Sequence, residues 1–347
     1  MKTIHVNTSH PYDVLIERDG LKKCGEYIRT ITKSNKAAII TDDIVGGLYA
    51  QTAADSLAQN GFETCVFTFP NGEQSKNLTT FGQILDFLCE NNITRSDIII
   101  ALGGGVVGDI TGFAAASYLR GVDFVQIPTT LLAQIDSSVG GKTAIDIKGG
   151  KNLVGAFKQP AMVICDSNTL RTLSPEILSD GMAEAVKYGM IRDEKLFELI
   201  ENHDLDSIDE VMDEMIYTCI DIKRDVVEHD EFDKGERMIL NFGHTLGHAL
   251  EGWHEYTNFT HGMGVAAGMC LITGKLCDSP VIDRLQKCLV NYRLPVGTDI
   301  PMSELLPFCS KDKKRESDSL SYIVCRTIGK AEIVKVTVEE FNKLMEE

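Results

Sequence analysis

Residues Asp97–Pro128, DIIIALGGGVVGDITGFAAASYLRGVDFVQIP, decide the fold. DIIIAL is a short unbroken apolar run ending in glycines, the pattern of a strand buried on both faces. GGGVVGD follows as a turn, then the small-residue run ITGFAAASYL as a helix, then FVQIP as a second strand. Gly103, Gly105 and Gly108 spell GxGxxG between strand and helix. Glycines there let a backbone approach a pyrophosphate at a helix N-terminus. They come after several units rather than in the first, and a tight strand–helix turn accounts for them equally.

Outward from this unit the alternation continues. KAAIITD and FETCVFTF read as strands, LYAQTAADSLAQN and NLTTFGQILDFLCENN as helices, HVNTSHPYDVLIE as a hairpin or two short strands, and MVICD as a last strand. Such alternation argues for a parallel sheet covered on both faces, with ligands beyond the carboxyl ends of its strands. Asp42 ends one strand, where a carboxylate suits ribose hydroxyls; Thr129 and Thr130 end another. DSSVGGKTAIDIKGGKNLVGAFKQP breaks the alternation. Its glycine pairs at 140–141 and 149–150 precede Lys142 and Lys151, with Asn152 adjacent, as in loops that wrap a phosphate. The spacing is not that of a P-loop, which argues against a nucleoside triphosphatase.

After TLRTLSPEIL the texture turns helical, so the domain boundary is expected near Pro175, giving domains 1–174 and 175–347. SPEILSDGMAEAVKYGMI sets Glu184 and Lys187 on one helix face. RMILNFGHTLGHALEGWHEYTNFTH, residues 237–261, holds four of the eight histidines. His244 and His248 share a face, and His261 follows after a loop. Imidazoles suit zinc, whose catalytic sites use three protein ligands and keep one position open. A bare HxxxH also fits core and surface histidines on a helix. SYIVCRTIGKAEIVKV reads as a hairpin turning near Gly329, and VEEFNKLMEE as a closing helix.

Composition narrows the function classes. With 347 residues, 43% of them hydrophobic, the chain is long enough for two domains with substantial cores. A net charge of −17 argues against nucleic acid or an anionic membrane as partner. Between Arg120 and Lys158, however, five basic residues face three acids, which fits either an anionic small ligand or a solvated loop. Ten cysteines without a CxxC pair read as reduced thiols. MKTIHVNTSH has no apolar core of a secretory signal and the apolar runs are too short to span a bilayer, so a cytoplasmic protein is expected.

Taken together, GGGVVGD, IPTTLLAQIDSSVGGKTAID, GKNLVGAF, LSDGMAEAVKYG, RMILNFGHTLGHALE and the trailing KDKK resemble the 3-dehydroquinate synthase family, in family order across most of the chain. The resemblance implies an N-terminal Rossmann-like α/β nucleotide-binding domain and a mainly α-helical C-terminal metal- and substrate-binding domain, with the active site in the cleft between them. It implies a homodimer that uses NAD and one divalent metal, Zn2+ or Co2+. The implied reaction converts 3-deoxy-D-arabino-heptulosonate 7-phosphate into 3-dehydroquinate and phosphate, in the shikimate route to aromatic amino acids.

Carried over by motif, the implied metal ligands are Glu184, His244 and His261, with His248 beside the phosphate and able to assist proton transfer. Lys142, Asn152 and Lys313 or Lys314 are the other implied phosphate contacts, and Arg120 one supplied by the partner subunit. Lys223 and Arg237 match a substrate-carboxylate clamp; Asp136, Lys187 and Asn241 match residues around the substrate hydroxyls. Asp42, Glu73, Lys76, Gly104, Gly105, Val106, Asp109, Thr129, Thr130 and Lys151 match the NAD site. The chain departs at His261-Gly262-Met263, where family members commonly read HGE; the ligand is kept and the change falls on its surroundings. A different sugar-phosphate cyclase, a metal-dependent polyol dehydrogenase and a non-catalytic binding protein are the competing readings. The two lysine-rich glycine loops and the carboxylate clamp argue against a dehydrogenase, the clamp against a cyclase whose substrate lacks a carboxylate, and the metal set against a binding protein.

Overall fold

Strand β5 (Ile98–Gly103) lies inside a seven-stranded sheet, and all six of its residues are buried. The computed structural model describes residues 1–254, 259–309 and 319–346. The chain forms two compact units, Met1–Leu173 with Lys223–Phe232, and Ser174–Ile222 with Asp233–Glu347.

In the first unit the sheet order is β1 (Lys2–Val6), β2 (Tyr12–Ile16), β9 (Met162–Cys165), β6 (Asp123–Pro128), β5, β3 (Lys36–Asp42), β4 (Glu63–Phe69). β1 and β2 pair antiparallel, and every other neighbouring pair is parallel. The two-residue period of a strand divides the core. Ala37, Ile39, Ile98, Ile100 and Leu102 enter one cluster with residues of helices α1 (Cys24–Ile31) and α2 (Gln51–Gln59). Ala38, Ile40, Ile99 and Ala101 enter the other with residues of α3 (Leu78–Glu90) and α4 (Gly105–Ser117). Unbroken apolar runs are therefore what this sheet requires.

Helix α4 starts at Gly105, earlier than the sequence pattern predicts, so Val106–Asp109 belong to its first turns. Its glycines fit close packing: a Cβ at Gly103 would lie 2.4 Å from Val107, and one at Gly108 would lie 2.6 Å from the Gln126 side chain. The segment that carries the glycine pairs forms a hairpin, with β7 (Lys142–Ile147) antiparallel to β8 (Gly150–Phe157). Gly140, Gly141 and Gly150 have positive φ, a conformation open to glycine at little steric cost.

The second unit is mostly helical. It contains α5 (Pro175–Arg192), α6 (Glu194–Glu201), the first part of α7 (Met212–His229), α8 (His244–Trp253), α9 (His261–Leu276), α10 (Ser279–Asn291), α11 (Met302–Cys309) and α12 (Val338–Glu346). The hairpin of β10 (Ser319–Thr327) and β11 (Lys330–Thr337) turns at Gly329, which has φ 82°. α5 begins with Ser174 capping and Pro175 at its first turn, and every residue from Gly181 to Ile191 is buried.

Glycines set the approach of α8 to α9. A Cβ at Gly268 would stand 2.0 Å from the Gly243 carbonyl oxygen, and one at Gly247 would stand 2.7 Å from that of Gly264. The two helices therefore meet backbone to backbone, as small-residue helix pairs do. Likewise a Cβ at Gly262 would meet the Asp180 carbonyl oxygen at 2.2 Å, so the start of α9 lies against α5. Among the described residues no helix is long and apolar enough to cross a membrane.

Candidate functional site

The close contact of α5, α8 and α9 gathers one cluster. Glu184 comes from the middle of α5, His244 opens α8 and His261 opens α9. One ligand atom from each lies within 4.8 Å of the others. The Nε2 atoms of His244 and His261 stand 3.5 and 3.3 Å from the same Glu184 oxygen. Each ring's other nitrogen faces an acceptor: His244 Nδ1 lies 3.2 Å from the Phe242 carbonyl oxygen, and His261 Nδ1 lies 2.9 Å from Glu251 Oε1. With Nδ1–H donating, both Nε2 lone pairs turn inward, the arrangement metal-ligating histidines adopt.

The electrostatics point the same way. Burial pushes the His244 imidazole down to about 3, which keeps it in the neutral, ligating form. Burial also opposes protonation of His261, but its bonds to Glu184 and Glu251 outweigh that and lift it to about 10. A divalent cation takes the place of such a proton on binding. Lys187, only 1% exposed, forms an ion pair with the equally buried Glu184. Asp180 accepts from the Gly262 N–H at 2.6 Å, and burial raises its carboxyl above the usual range. The donor set of two imidazoles and a carboxylate fits zinc or cobalt.

His248 is exposed one turn along α8, its ring centre 5.4 Å from that of His244 and 6.0 Å from that of His261. Arg237 is 2% exposed in the short helical turn Glu236–Asn241, and Asn241 closes that turn at the surface. Lys313 and Lys314 lie outside the described residues. Two residues the sequence reading missed belong to the cluster, Glu251 and Asp180. Glu251 stands three residues after His248 and seven after His244, on one helix face, which is a usable signal. Asp180 has no such local mark.

In the first unit, the sheet reverses its winding between β3 and β5, because β3 leads outward to β4 and β5 outward to β6. Asp42 and Gly103–Gly105 stand at that switch point, where doubly wound sheets bind ligands. Asp42 is buried and its Oδ1 accepts from the N–H groups of Ile44 and Val45 at 3.0 and 2.8 Å. Gly104 caps α4, and a Cβ there would stand 3.1 Å from Thr130 Cγ2. The Thr129 hydroxyl is buried and has no hydrogen-bond partner among the described residues. A buried orphan of this kind costs about 1–3 kcal/mol, which a bound ligand's polar group would offset.

A second polar group adjoins the start of α4. Buried Lys76 pairs with Asp109 at 2.6 Å and Glu73 at 3.9 Å, and donates to Asn152 Oδ1 at 2.5 Å. Burial lifts the Asp109 and Glu73 carboxyls above their usual range although Lys76 opposes it in both. Asn152 N–H in turn bonds Asp146 at 2.7 Å. Four expected ligand contacts thus form one network. Lys142 and Lys151 are exposed on the β7–β8 hairpin, and Val106 packs half-buried on the core. Asp136 sits in a π-helical turn, Ala133–Ser137, where its carbonyl and carboxylate oxygens hold the Lys223 ammonium at 2.6 and 2.8 Å. Arg120 is exposed just beyond α4, with φ 67°.

Family models match the chain in two consecutive parts: 3-dehydroquinate synthase N-terminal over residues 66–180, and 3-dehydroquinate synthase C-terminal over residues 181–315. The chain is 44% identical over 357 aligned positions to a 3-dehydroquinate synthase of Enterococcus faecalis, covering 99% of this chain and 98% of that one. It is 43% identical over 345 positions to one of Streptococcus thermophilus, covering 97% of each. Among solved structures it resembles 2-deoxy-scyllo-inosose synthase complexed with carbaglucose-6-phosphate, NAD+ and Co2+, with a TM-score of 0.86, 25% identity and 99% of each chain covered. The fold is shared with a Streptomyces hygroscopicus 2-epi-5-epi-valiolone synthase with NAD+ and Zn2+ bound, with a TM-score of 0.85, 23% identity, and 99% of this chain and 98% of that one covered. Matched along both halves and at this identity over nearly its whole length, the chain belongs to the 3-dehydroquinate synthase family.

Proposed function

We propose that this protein converts 3-deoxy-D-arabino-heptulosonate 7-phosphate into 3-dehydroquinate and phosphate, in the cytoplasm and as a homodimer. The observation that carries the reading is the convergence of Glu184, His244 and His261, with both imidazole Nε2 atoms turned to one carboxylate oxygen. Glu184, His244 and His261 would hold a divalent cation, which would supply polarisation of the reacting hydroxyl, and the β3–β5 switch point would hold NAD, which would supply a reversible hydride acceptor.

The chain's own groups account for the rest. Lys187, fixed against Glu184, supplies a buried positive charge suited to a substrate hydroxyl. His248, exposed on the same face of α8 as His244, is suited to assist movement of a proton at the phosphate end. Lys142, exposed at the start of β7, and Asn152 are suited to phosphate oxygens. Lys223 and Arg237 each offer a charge-assisted bond to a carboxylate, which competes with Asp136 for Lys223. Asp42 favours a free ribose hydroxyl over a 2′-phosphate, so NAD rather than NADP. Arg120, exposed after α4, serves the partner subunit's phosphate site.

The test is turnover of the heptulosonate phosphate with zinc and NAD. One phosphate is released per substrate with no net rise in NADH absorbance, and deuterium at C5 is retained in the product. Stoichiometric NADH without phosphate makes the protein a polyol dehydrogenase instead. Mixing Arg120→Ala and Lys142→Ala chains restores part of the activity if sites are shared between subunits.

A further inference from the structure

We propose that Glu251 is the positioning residue for His261: its carboxylate accepts the Nδ1 proton and so aims Nε2 at the cation. The inference rests on the reading of Glu184, His244 and His261 as ligands, and adds to it a residue that touches neither cation nor substrate. Three observations support it.

First, Glu251 Oε1 lies 2.9 Å from His261 Nδ1 while His261 Nε2 lies 3.3 Å from Glu184. The two ring nitrogens of an imidazole point apart, so an acceptor at one fixes the tautomer and direction of the other. Second, Glu251 is held where it is. It is 4% exposed, and a Cβ built on Gly264 would come 3.3 Å from its Oε1, so the carboxylate sits close against the backbone of α9. Gly247 and Gly264 bring the two helices near enough for that reach. Third, Met263 brings no polar side chain to the start of α9, and the acceptor set against His261 Nδ1 is Glu251. The two histidine ligands also differ in kind. His244 leans on a backbone carbonyl, which no substitution removes, whereas His261 leans on a side chain that can be changed.

Metal-free parent, Glu251→Ala, Glu251→Gln, Glu251→Met, Met263→Ala and His261→Ala proteins are titrated with Zn2+ against a chromophoric chelator, and with Co2+ for the visible absorption of the bound ion. Tm is recorded without metal. Zn2+ affinity of Glu251→Ala is expected to fall about 10–100-fold, that of Glu251→Gln by less because the amide oxygen still accepts, and that of Met263→Ala by less than about twofold. Bound Co2+ keeps its coordination number, and the metal-free Tm values stay together. Should Glu251→Ala fold poorly, Glu251→Met, which fills the space without an acceptor oxygen, carries the test, and parent-like affinity in it overturns the proposal. So does a loss in Met263→Ala equal to that in Glu251→Ala. Abolition of binding in Glu251→Ala to the level of His261→Ala, with a changed Co2+ spectrum, makes Glu251 a ligand and overturns positioning. If His261→Ala binds Zn2+ like the parent, the metal reading itself fails, a result separate from any outcome at Glu251.

Discussion

The two polar clusters differ in how their charges are met. Around Lys76, an ammonium sits among Asp109, Glu73 and Asn152, so cation and anions come from the same polypeptide. Around His261, the carboxylates of Glu184, Glu251 and Asp180 outnumber the one ammonium of Lys187. With neutral imidazoles that leaves two negative charges in a buried place, which a divalent cation balances. Carboxylates outnumber the ammonium in the first cluster too, but there the Lys76 ammonium sits among them, whereas in the second both imidazole Nε2 atoms face one Glu184 oxygen, the geometry of a cation site. Buried charge is tolerated only when paired.

The sharpest way to break this contrast is to remove the cation. Chelation should lower phosphate release more than about a thousandfold, equivalent to several kcal/mol of lost charge stabilisation, and Zn2+ or Co2+ should restore it. The first unit should show the opposite sensitivity, with chelator leaving NAD affinity unchanged.

Next in size is Lys76→Met. Removing the ammonium leaves half-buried Asp109 without its ion-pair partner, and denaturant unfolding should report a loss of about 3 kcal/mol at neutral pH. The sign of its pH dependence follows from Asp109, which burial already holds above the usual carboxylate range. Through that window the folded chain keeps a proton that the unfolded chain has lost, so stability from this group falls as pH rises. Without Lys76 the window widens upward, and the variant should recover stability relative to the parent on acidification from pH about 8 to about 5.

A third comparison sets two glycines against each other. The Gly268→Ala methyl meets a backbone oxygen at 2.0 Å, whereas that of Gly112→Ala meets the Thr143 side chain at 2.4 Å. Overpacking should cost about 3 kcal/mol in the first and about 1 kcal/mol in the second, read from Tm, because a side chain moves and a helix backbone does not. Only Gly268→Ala should also weaken zinc binding. The smallest effect belongs to Asp42. Asp42→Ala removes the cap on Ile44 and Val45, expected at about 1 kcal/mol, while Asp42→Asn keeps the cap and should chiefly weaken NAD binding.

What the sequence reveals here follows the range of the interaction. The strands β3 and β5 are legible because burial on both faces leaves no choice but apolar residues along the run. The β10–β11 hairpin is legible because Gly329 stands at the one place where positive φ is needed. Glu184, His244 and His261 are named by family motif, and their meeting depends on two close approaches, α8 to α9 through glycines about twenty residues apart and α9 to α5 at Gly262 and Asp180, far apart in sequence. Asp180 escapes notice because its partner is a backbone N–H eighty-two residues away. At Gly150 the same positive φ that lets N–H groups surround an anion also turns the β7–β8 hairpin, so the local pattern fits both. Asp97–Pro128 gives the unit but not its rank: that Gly103–Gly105 stand at the switch point depends on strand order, which local patterns do not encode.

The π-helical turn Ala133–Ser137 carries one residue more than the same stretch of α-helix would. Each residue of an α-helix advances the side-chain direction by about 100°. Deleting one residue at Ala133 would let the turn relax to α-helix and swing Asp136 off Lys223 by about that angle, with hydrophobicity and charge untouched. This segment is therefore open to exchange of letters but closed to change of length, and gaps in an alignment of active relatives should avoid it.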